Sequence, residues 1–158
     1  MENSTDFLIR FSRKLNYDDI KENNTIYIGP LKNKNKFLDY MNEKNKNLKI
    51  KNRLLTYKNK ITKKDTIIDL QTVSQNKEYA LVSRIKSTNE AERFLFFSDH
   101  DIGVIATVEY FTNKKNLKEF QSNYLKNNES FTAVFIVEGK ERTNLGLELI
   151  LVDNKGFD

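Results

Sequence analysis

His100 and the two carboxylates beside it are the residues of this chain that are best suited to chemistry. His100 is the only histidine in the 158 residues, and Asp99 and Asp101 flank it in a setting that can tune an imidazole as a base. The alternative is a polar surface histidine in a turn. Asp99, Asp101 and Glu109 also offer oxygen ligands for a cation. However, capping and the dipole of the helix that we predict to begin there already account for a carboxylate at position 101.

The sequence motifs of common enzyme classes are missing. The chain contains no serine nucleophile elbow, no phosphate-binding loop, no dinucleotide fingerprint, no pair of zinc-binding histidines and no carboxylate spacing typical of a metal site. It has no cysteine, which excludes disulfides, thiolate catalysis and zinc held by cysteine. We therefore expect a protein that is not an enzyme and that uses no cofactor and no metal.

A polar turn before a helix suggests binding instead. The apolar run Phe94–Phe97 predicts a buried strand, Ser98–Asp101 a turn, and the apolar residues from Ile102 onward a helix. The free backbone N–H groups of such a turn, at the positive end of the helix dipole, form a natural corner for a polar or anionic ligand. The alternative is an ordinary turn that only caps the helix.

The same arrangement occurs earlier in the chain. The strand Thr25–Gly29 ends at Pro30, and Asn33 or Asn35 can cap a helix that begins near Phe37. We predict a non-catalytic ligand-sensing or interaction module whose cleft lies between the Gly29 and Ser98 turns. Its predicted ligand-binding residues are Gly29, Asn33, Asn35, Ser98, Asp99, His100 and Gly103.

The remaining patterns predict the fold. Strands are expected at Phe7, Thr25, Tyr79 and Phe94, with a C-terminal hairpin of the Phe131 and Leu145 strands; helices are expected at Phe37, Ile102 and Leu117. Leu48–Tyr57 is typical of an exposed antiparallel ribbon, and Thr66–Leu70 of a further strand. We predict one α/β domain spanning 1–158, with a mixed, mainly parallel sheet flanked by helices.

These residues resemble a known family. Ile26–Pro30 with Asn33 or Asn35 before a helix, Tyr79–Arg84, and Phe94–Phe97 followed by Gly103 and a helix ending at Tyr110-Phe111-Thr112 are similar to a Rossmann-like module of bacterial regulators. In that group the module looks like half of a periplasmic-binding-protein fold and follows a winged-helix DNA-binding domain. The resemblance implies a Rossmann-like sheet, a ligand-sensing role, and a chain that is either a fragment or a reduced form of a longer regulator.

The charge is unevenly distributed and opens two further interpretations. Between Leu31 and Lys64 there are twelve Lys or Arg residues and two acidic residues, a net charge of +10, although the whole chain carries only +5. The basic Lys32–Lys64 region could bind nucleic acid, but the excess of lysine and asparagine is also what an AT-rich genome produces on any surface. A self-associating protein, or one with a protein partner, is a third possibility.

No apolar run is long enough to span a membrane and the N-terminus is unlike a signal peptide, so we expect a cytoplasmic protein without a membrane partner.

Overall fold

The structure, a computed structural model, describes residues 8–10, 12–31, 35–59, 62, 64–71, 74, 76–88, 90–126 and 129–157. Phe7 and Asn33, which appear in the sequence predictions, lie outside these ranges. A turn of 3₁₀ helix at Ser12–Lys14 precedes the helices α1 (Tyr17–Glu22), α2 (Lys36–Lys44), α3 (Asp101–Thr112) and α4 (Lys114–Tyr124). The strands are β1 (Thr25–Gly29), β2 (Leu48–Lys51), β3 (Leu54–Lys58), β4 (Asp65–Asp69), β5 (Lys77–Lys86), β6 (Glu92–Ser98), β7 (Phe131–Lys140) and β8 (Thr143–Asp153).

In the described residues the strands form two sheets. Sheet A has the order β1-β6-β5-β7-β8, and sheet B has the order β2-β3-β4. Only β1 and β6 pair in parallel, whereas the other pairs of both sheets are antiparallel. The predicted mainly parallel, Rossmann-like sheet is therefore wrong. The chain has a mixed α/β fold with a mostly antiparallel sheet A and a separate antiparallel sheet B.

Short connections explain why antiparallel pairing dominates. Only the two residues Glu141 and Arg142 separate β7 from β8, and only residues 87–91 separate β5 from β6. Parallel neighbours need a crossover of about a dozen residues or more. The connection from β6 to β7 is long enough because it carries α3 and α4, but β5 lies between these two strands in the sheet. β6 and β7 thus run in the same direction without being neighbours.

The predicted first strand also requires correction. Leu8, Ile9 and Arg10 belong to no strand, so β1 stands at the edge of sheet A and no strand from the Phe7 region pairs with it in the described residues. The expected parallel pair of the Thr25 and Phe94 segments is confirmed. The predicted hairpin of the Phe131 and Leu145 strands is likewise confirmed.

Sheet A is covered on both faces, which creates two apolar cores. On one face α3 and α4 enclose an aromatic cluster that includes Phe96, Phe111, Phe120, Phe131 and Phe135. On the other face α2 and sheet B pack against the side chains of β5 and β6 that point the opposite way. The predicted ribbon at Leu48–Tyr57 forms β2 and β3 of this second layer, and the strand predicted at Thr66–Leu70 is β4.

Asparagines begin three of the four α-helices in the described part of the chain. The side chain of Asn16 caps α1, that of Asn35 caps α2 and that of Asn113 caps α4. In each case the asparagine Oδ1 accepts a backbone N–H of the first turn, with N to Oδ1 distances of 2.8, 3.0 and 3.0 Å. The cap of α2 agrees with the sequence analysis, which offered Asn33 or Asn35 for the helix near Phe37. α3 is different, because the residue at its N-cap, His100, makes no capping hydrogen bond through its side chain.

Candidate functional site

A carboxylate on β5 accepts the backbone N–H groups at the start of α3. Glu78 is buried, and its Oε1 accepts the N–H of Gly103 at 2.6 Å. Its Oε2 accepts the N–H of His100 at 3.0 Å and the hydroxyl of Ser98 at 2.7 Å. The positive end of the helix dipole therefore meets a fixed negative charge. In this structure the N–H groups of His100 and Gly103 bind the protein's own carboxylate.

Gly103 is required by the tightness of this arrangement. A Cβ at position 103 would lie 2.2 Å from Ser98 Oγ, 2.8 Å from Ser98 Cβ and 3.0 Å from Glu78 Oε1. Any larger residue would push the strand end away from the helix. Ser98, Glu78 and Gly103 thus form one packed unit that fixes where α3 begins.

Two arginines in hairpin turns hold the carboxylates on either side of His100. Arg53, between β2 and β3, places Nη2 at 2.8 Å from Asp99 Oδ2, and Arg142, between β7 and β8, places Nη2 at 3.1 Å from Asp101 Oδ2. Both arginines have a left-handed backbone, with φ of 63° and 66°. This conformation costs a non-glycine residue about 1–2 kcal/mol. The Arg53 pair is the more enclosed of the two, since the side chain of Asp99 is 13% exposed and that of Asp101 is 66% exposed.

The carboxylates near His100 do not converge on a metal site. Asp99 and Asp101 each pair with a different arginine, and Glu109 is exposed further along α3. Asp99 Oδ1 is buried and accepts no hydrogen bond from the described residues. Within the described part of the chain, no group of three or more His, Cys, Asp or Glu residues could hold a metal ion.

The Gly29 turn lies at the same end of sheet A as the Ser98 turn, because Gly29 pairs with Phe97 in the parallel register. The hydroxyl of Tyr27 fills the space above Gly29, where a Cβ would lie 2.0 Å from it. Asn35 Nδ2 donates to this hydroxyl at 2.6 Å and to the carbonyl of Pro30 at 3.0 Å. The structure therefore brings Gly29, Asn35 and Ser98 to one edge, with internal partners for the polar groups.

An open cavity lies beside the N-terminus of α3. Its volume is about 240 Å³. It is lined by the end of β5, the start of α3 and the hairpin between β7 and β8, through Asn76, Lys77, Glu78, His100, Ile102, Gly139, Lys140, Glu141 and Arg142. Of the predicted site residues, His100 is the one that lines this cavity. Three cationic residues (Lys77, Lys140 and Arg142) and two acidic residues (Glu78 and Glu141) are among the lining residues, and Ile102 and Gly139 provide its apolar part.

The cations of the cavity are accessible to a ligand. Lys77 Nζ lies 3.4 Å from Glu138 Oε2, with both side chains more than 40% exposed, and the Arg142–Asp101 pair is more exposed still. Exposed ion pairs of this kind contribute about 0–1 kcal/mol each. An anionic ligand can therefore displace the carboxylate of Glu138 or Asp101 with little loss of free energy.

Several cations of the basic Lys32–Lys64 region have partners within the protein. Lys36 Nζ donates to the carbonyl of Leu15 at 2.5 Å, Lys44 pairs with Glu43 at 3.6 Å, and Arg53 is bound to Asp99. Lys49 and Lys51 lie on the outward face of sheet B. The described residues of that face include no aromatic side chain, because Tyr57 packs inward. Stacking platforms for bases need such rings.

Sequence reasoning missed the residues that organise this corner, namely Glu78, Arg53 and Arg142. One signal was available for Glu78: it directly precedes the apolar run Tyr79–Val82 of β5, and a carboxylate that is buried needs a partner. The two arginines gave no such signal, since only the fold brings the hairpin turns of both sheets to α3.

Comparisons with known proteins place the chain in no family. No family model matches it, and no curated protein and no solved structure matches it either. Its relationship to regulator modules therefore stays a prediction. In the part of the chain that the structure describes, no helix is long and apolar enough to cross a membrane.

Proposed function

We propose that this chain is a non-catalytic binding protein for a small molecule that carries a carboxylate or phosphate group. The observation that supports the proposal is the cavity of about 240 Å³ beside His100, with Lys77, Lys140 and Arg142 in its lining. Pockets for drug-sized ligands usually have 300–1,000 Å³, so this cavity suits a smaller molecule. The ligand role of the Gly29 and Ser98 turns remains a prediction.

The electrostatics favour an anionic group that is bound by side chains. The N–H groups of His100 and Gly103 are occupied by Glu78, so they are not offered to a ligand in this structure. The cationic ends of Lys140 and Arg142 lie on the exposed β7–β8 hairpin at the rim. We therefore expect the anionic group to bind at this rim, away from the carboxylate of Glu78.

An NMR titration tests the proposal. Orthophosphate, pyrophosphate and succinate are added separately to ¹⁵N-labelled protein at constant ionic strength. We expect saturable amide shifts at residues 100–103 and 139–142 for at least one of them. Lys140→Ala combined with Arg142→Ala should weaken that binding about tenfold or more, since a hydrogen bond to a charged group contributes about 1.5–3 kcal/mol. Lys118→Ala, on the exposed side of α4, is the control and should leave the titration unchanged.

Two results would contradict the proposal. One is the absence of saturable shifts around the cavity at anion concentrations up to about 10 mM, where even a weak site is occupied. The other is equal weakening by Lys118→Ala, which would indicate a general charge effect. Nucleic-acid binding by the Lys32–Lys64 region is the rival, and a filter-binding series over a salt gradient would reveal it as an affinity that falls steeply with salt.

A further inference from the structure

The four strands at the edges of the two sheets differ in how they are protected against pairing with another chain. The edge strand β8 is irregular in its pairing with β7 at two places, and it carries Glu148 at its centre. β2 carries Lys49 and Lys51, and β4 begins and ends with Asp65 and Asp69. Charges and bulges of this kind are the usual protection of an edge.

β1 has neither charged residues nor a bulge. Its sequence Thr-Ile-Tyr-Ile-Gly contains no charged residue and no proline, and its pairing with β6 runs without a shift from Thr25 to Gly29. No strand of the described residues pairs with its outer side, where N–H and C=O groups of an edge strand can accept a further strand. The side chains of Ile26 and Ile28 are 65% and 55% exposed.

These two isoleucines continue a buried apolar surface. Ile26 is paired with Phe94 and Ile28 with Phe96; Phe96 belongs to the core under α3 and α4, and the partly buried Phe94 packs against that core. α3 packs mainly over β5, β6, β7 and β8, so the isoleucines lie beyond the cover of the helices. Single exposed apolar residues are ordinary, but here two of them lie on one face of an unprotected edge.

The sequence of β1 is complementary to itself. In an antiparallel pair of two β1 strands related by a two-fold axis at Tyr27, Ile26 of one copy faces Ile28 of the other. Cβ atoms of such opposite residues lie about 4.5–5.5 Å apart, so four isoleucines form one cluster. The same operation on β4, centred on Ile67, would place Asp65 opposite Asp69, and on β8 it would place Glu148 opposite Glu148. Like charges directly opposite each other are destabilising.

We propose that β1 is the interface of a symmetric homodimer in which the two sheets A join, edge to edge, into one sheet of ten strands. A second copy of this chain is the occupant because the strand matches itself in both backbone direction and side-chain pairing. The interface is small, and small interfaces are weak and transient, so we expect a dissociation constant on the order of 100 µM. The inference uses no residue of the cavity.

Sedimentation equilibrium over a concentration series tests the dimer. The wild-type protein should approach twice its monomer mass of 18.6 kDa as the concentration rises to about 1 mM. Ile26→Lys together with Ile28→Lys should weaken association at least tenfold, because four lysines would face one another. Ile67→Lys is the matched control, since Ile67 is 67% exposed on the edge strand β4, and it should associate like the wild type.

A charge-swap mixture tests the register. Ile26→Glu with Ile28→Glu should also be monomeric alone. Mixed in equal amounts with the double lysine variant it should form a heterodimer, since the lysines that replace Ile26 and Ile28 in one copy then face the glutamates that replace them in the other. A wild-type protein that stays monomeric throughout the series would overturn the proposal. So would equal weakening by Ile67→Lys, or a failure of the mixture to associate when circular dichroism shows both variants to be folded.

Discussion

Replacing Glu78 by glutamine removes a negative charge from the start of α3 while keeping the size of the side chain. The carboxylate accepts three hydrogen bonds, from Gly103 N–H at 2.6 Å, His100 N–H at 3.0 Å and the Ser98 hydroxyl at 2.7 Å. Glutamine can accept hydrogen bonds with one side-chain oxygen only. Its NH₂ group would take the place of the other carboxylate oxygen and would face the donors that this oxygen binds in the wild type. At least one buried donor is then left without an acceptor.

The expected loss of stability follows from these contacts. A hydrogen bond to a charged group contributes about 1.5–3 kcal/mol, and a carboxylate at a helix N-terminus adds about 0.3–1 kcal/mol through the dipole. We expect Glu78→Gln to lower the free energy of unfolding by roughly 2–4 kcal/mol. This is a large part of the stability of a typical domain, which is about 5–15 kcal/mol.

Urea unfolding followed by circular dichroism measures the effect. Glu138→Gln is the control, because Glu138 is opposite Lys77 in the neighbouring strand β7 and its side chain is 49% exposed; it should change stability by less than about 0.5 kcal/mol. A double-mutant cycle with Ser98→Ala should give a coupling energy of about 1 kcal/mol or more, since the two groups are in direct contact. A loss below about 0.5 kcal/mol for Glu78→Gln would refute the capping role.

Two further substitutions test neighbouring parts of the structure. Gly103→Ala places a Cβ 2.2 Å from Ser98 Oγ, so the clash should outweigh the gain of about 1 kcal/mol in helix propensity and the midpoint of urea unfolding should fall; an unchanged or higher midpoint would contradict this. Burial raises the pKa of Glu92, but hydrogen bonds and charge from Arg84 outweigh it and lower the pKa from the ordinary 4.5. Glu92 therefore stabilises the fold above pH 4.5 and loses this contribution as the pH falls through its lower folded pKa. Glu92→Gln should lose less stability than the wild type between pH 7 and pH 3 in urea unfolding, and equal losses would show that the pair does not contribute.

Local signals in the sequence were sufficient for most elements of this fold. Asn35, one of the two asparagines expected to cap the helix near Phe37, marked the start of α2 correctly because capping depends on residues within one turn. The alternation of polar and apolar residues at Leu48–Tyr57 predicted the ribbon of β2 and β3 for a similar reason. In each case the deciding interaction joins residues that are close in the chain.

The order and direction of the strands were predicted only in part: the parallel pair of β1 and β6 and the hairpin of β7 and β8 were correct, but the mainly parallel sheet was wrong. The alternation of strand and helix suggested parallel crossovers, but the alternation says nothing about which strand lies beside which. The connection between β5 and β6 is too short for a crossover, and this length was visible in the sequence. The insertion of β5 between β6 and β7 was not visible, because it depends on the pairing of Tyr79 with Ile136 across the sheet.

At the predicted ligand corner, too, features set by neighbouring residues were predicted, whereas a contact between residues distant in the chain was missed. The strand, the turn and the helix that begins after His100 were correctly located, and a helix N-terminus does attract an anion. In this protein the anion bound there is Glu78, which lies 25 residues before Gly103 in the chain. Because an internal carboxylate satisfies these N–H groups, α3 needs no ligand to begin where it does. A molecule bound in the cavity beside His100 would therefore meet a preformed site, and it would stabilise the protein only through its occupancy of the folded state.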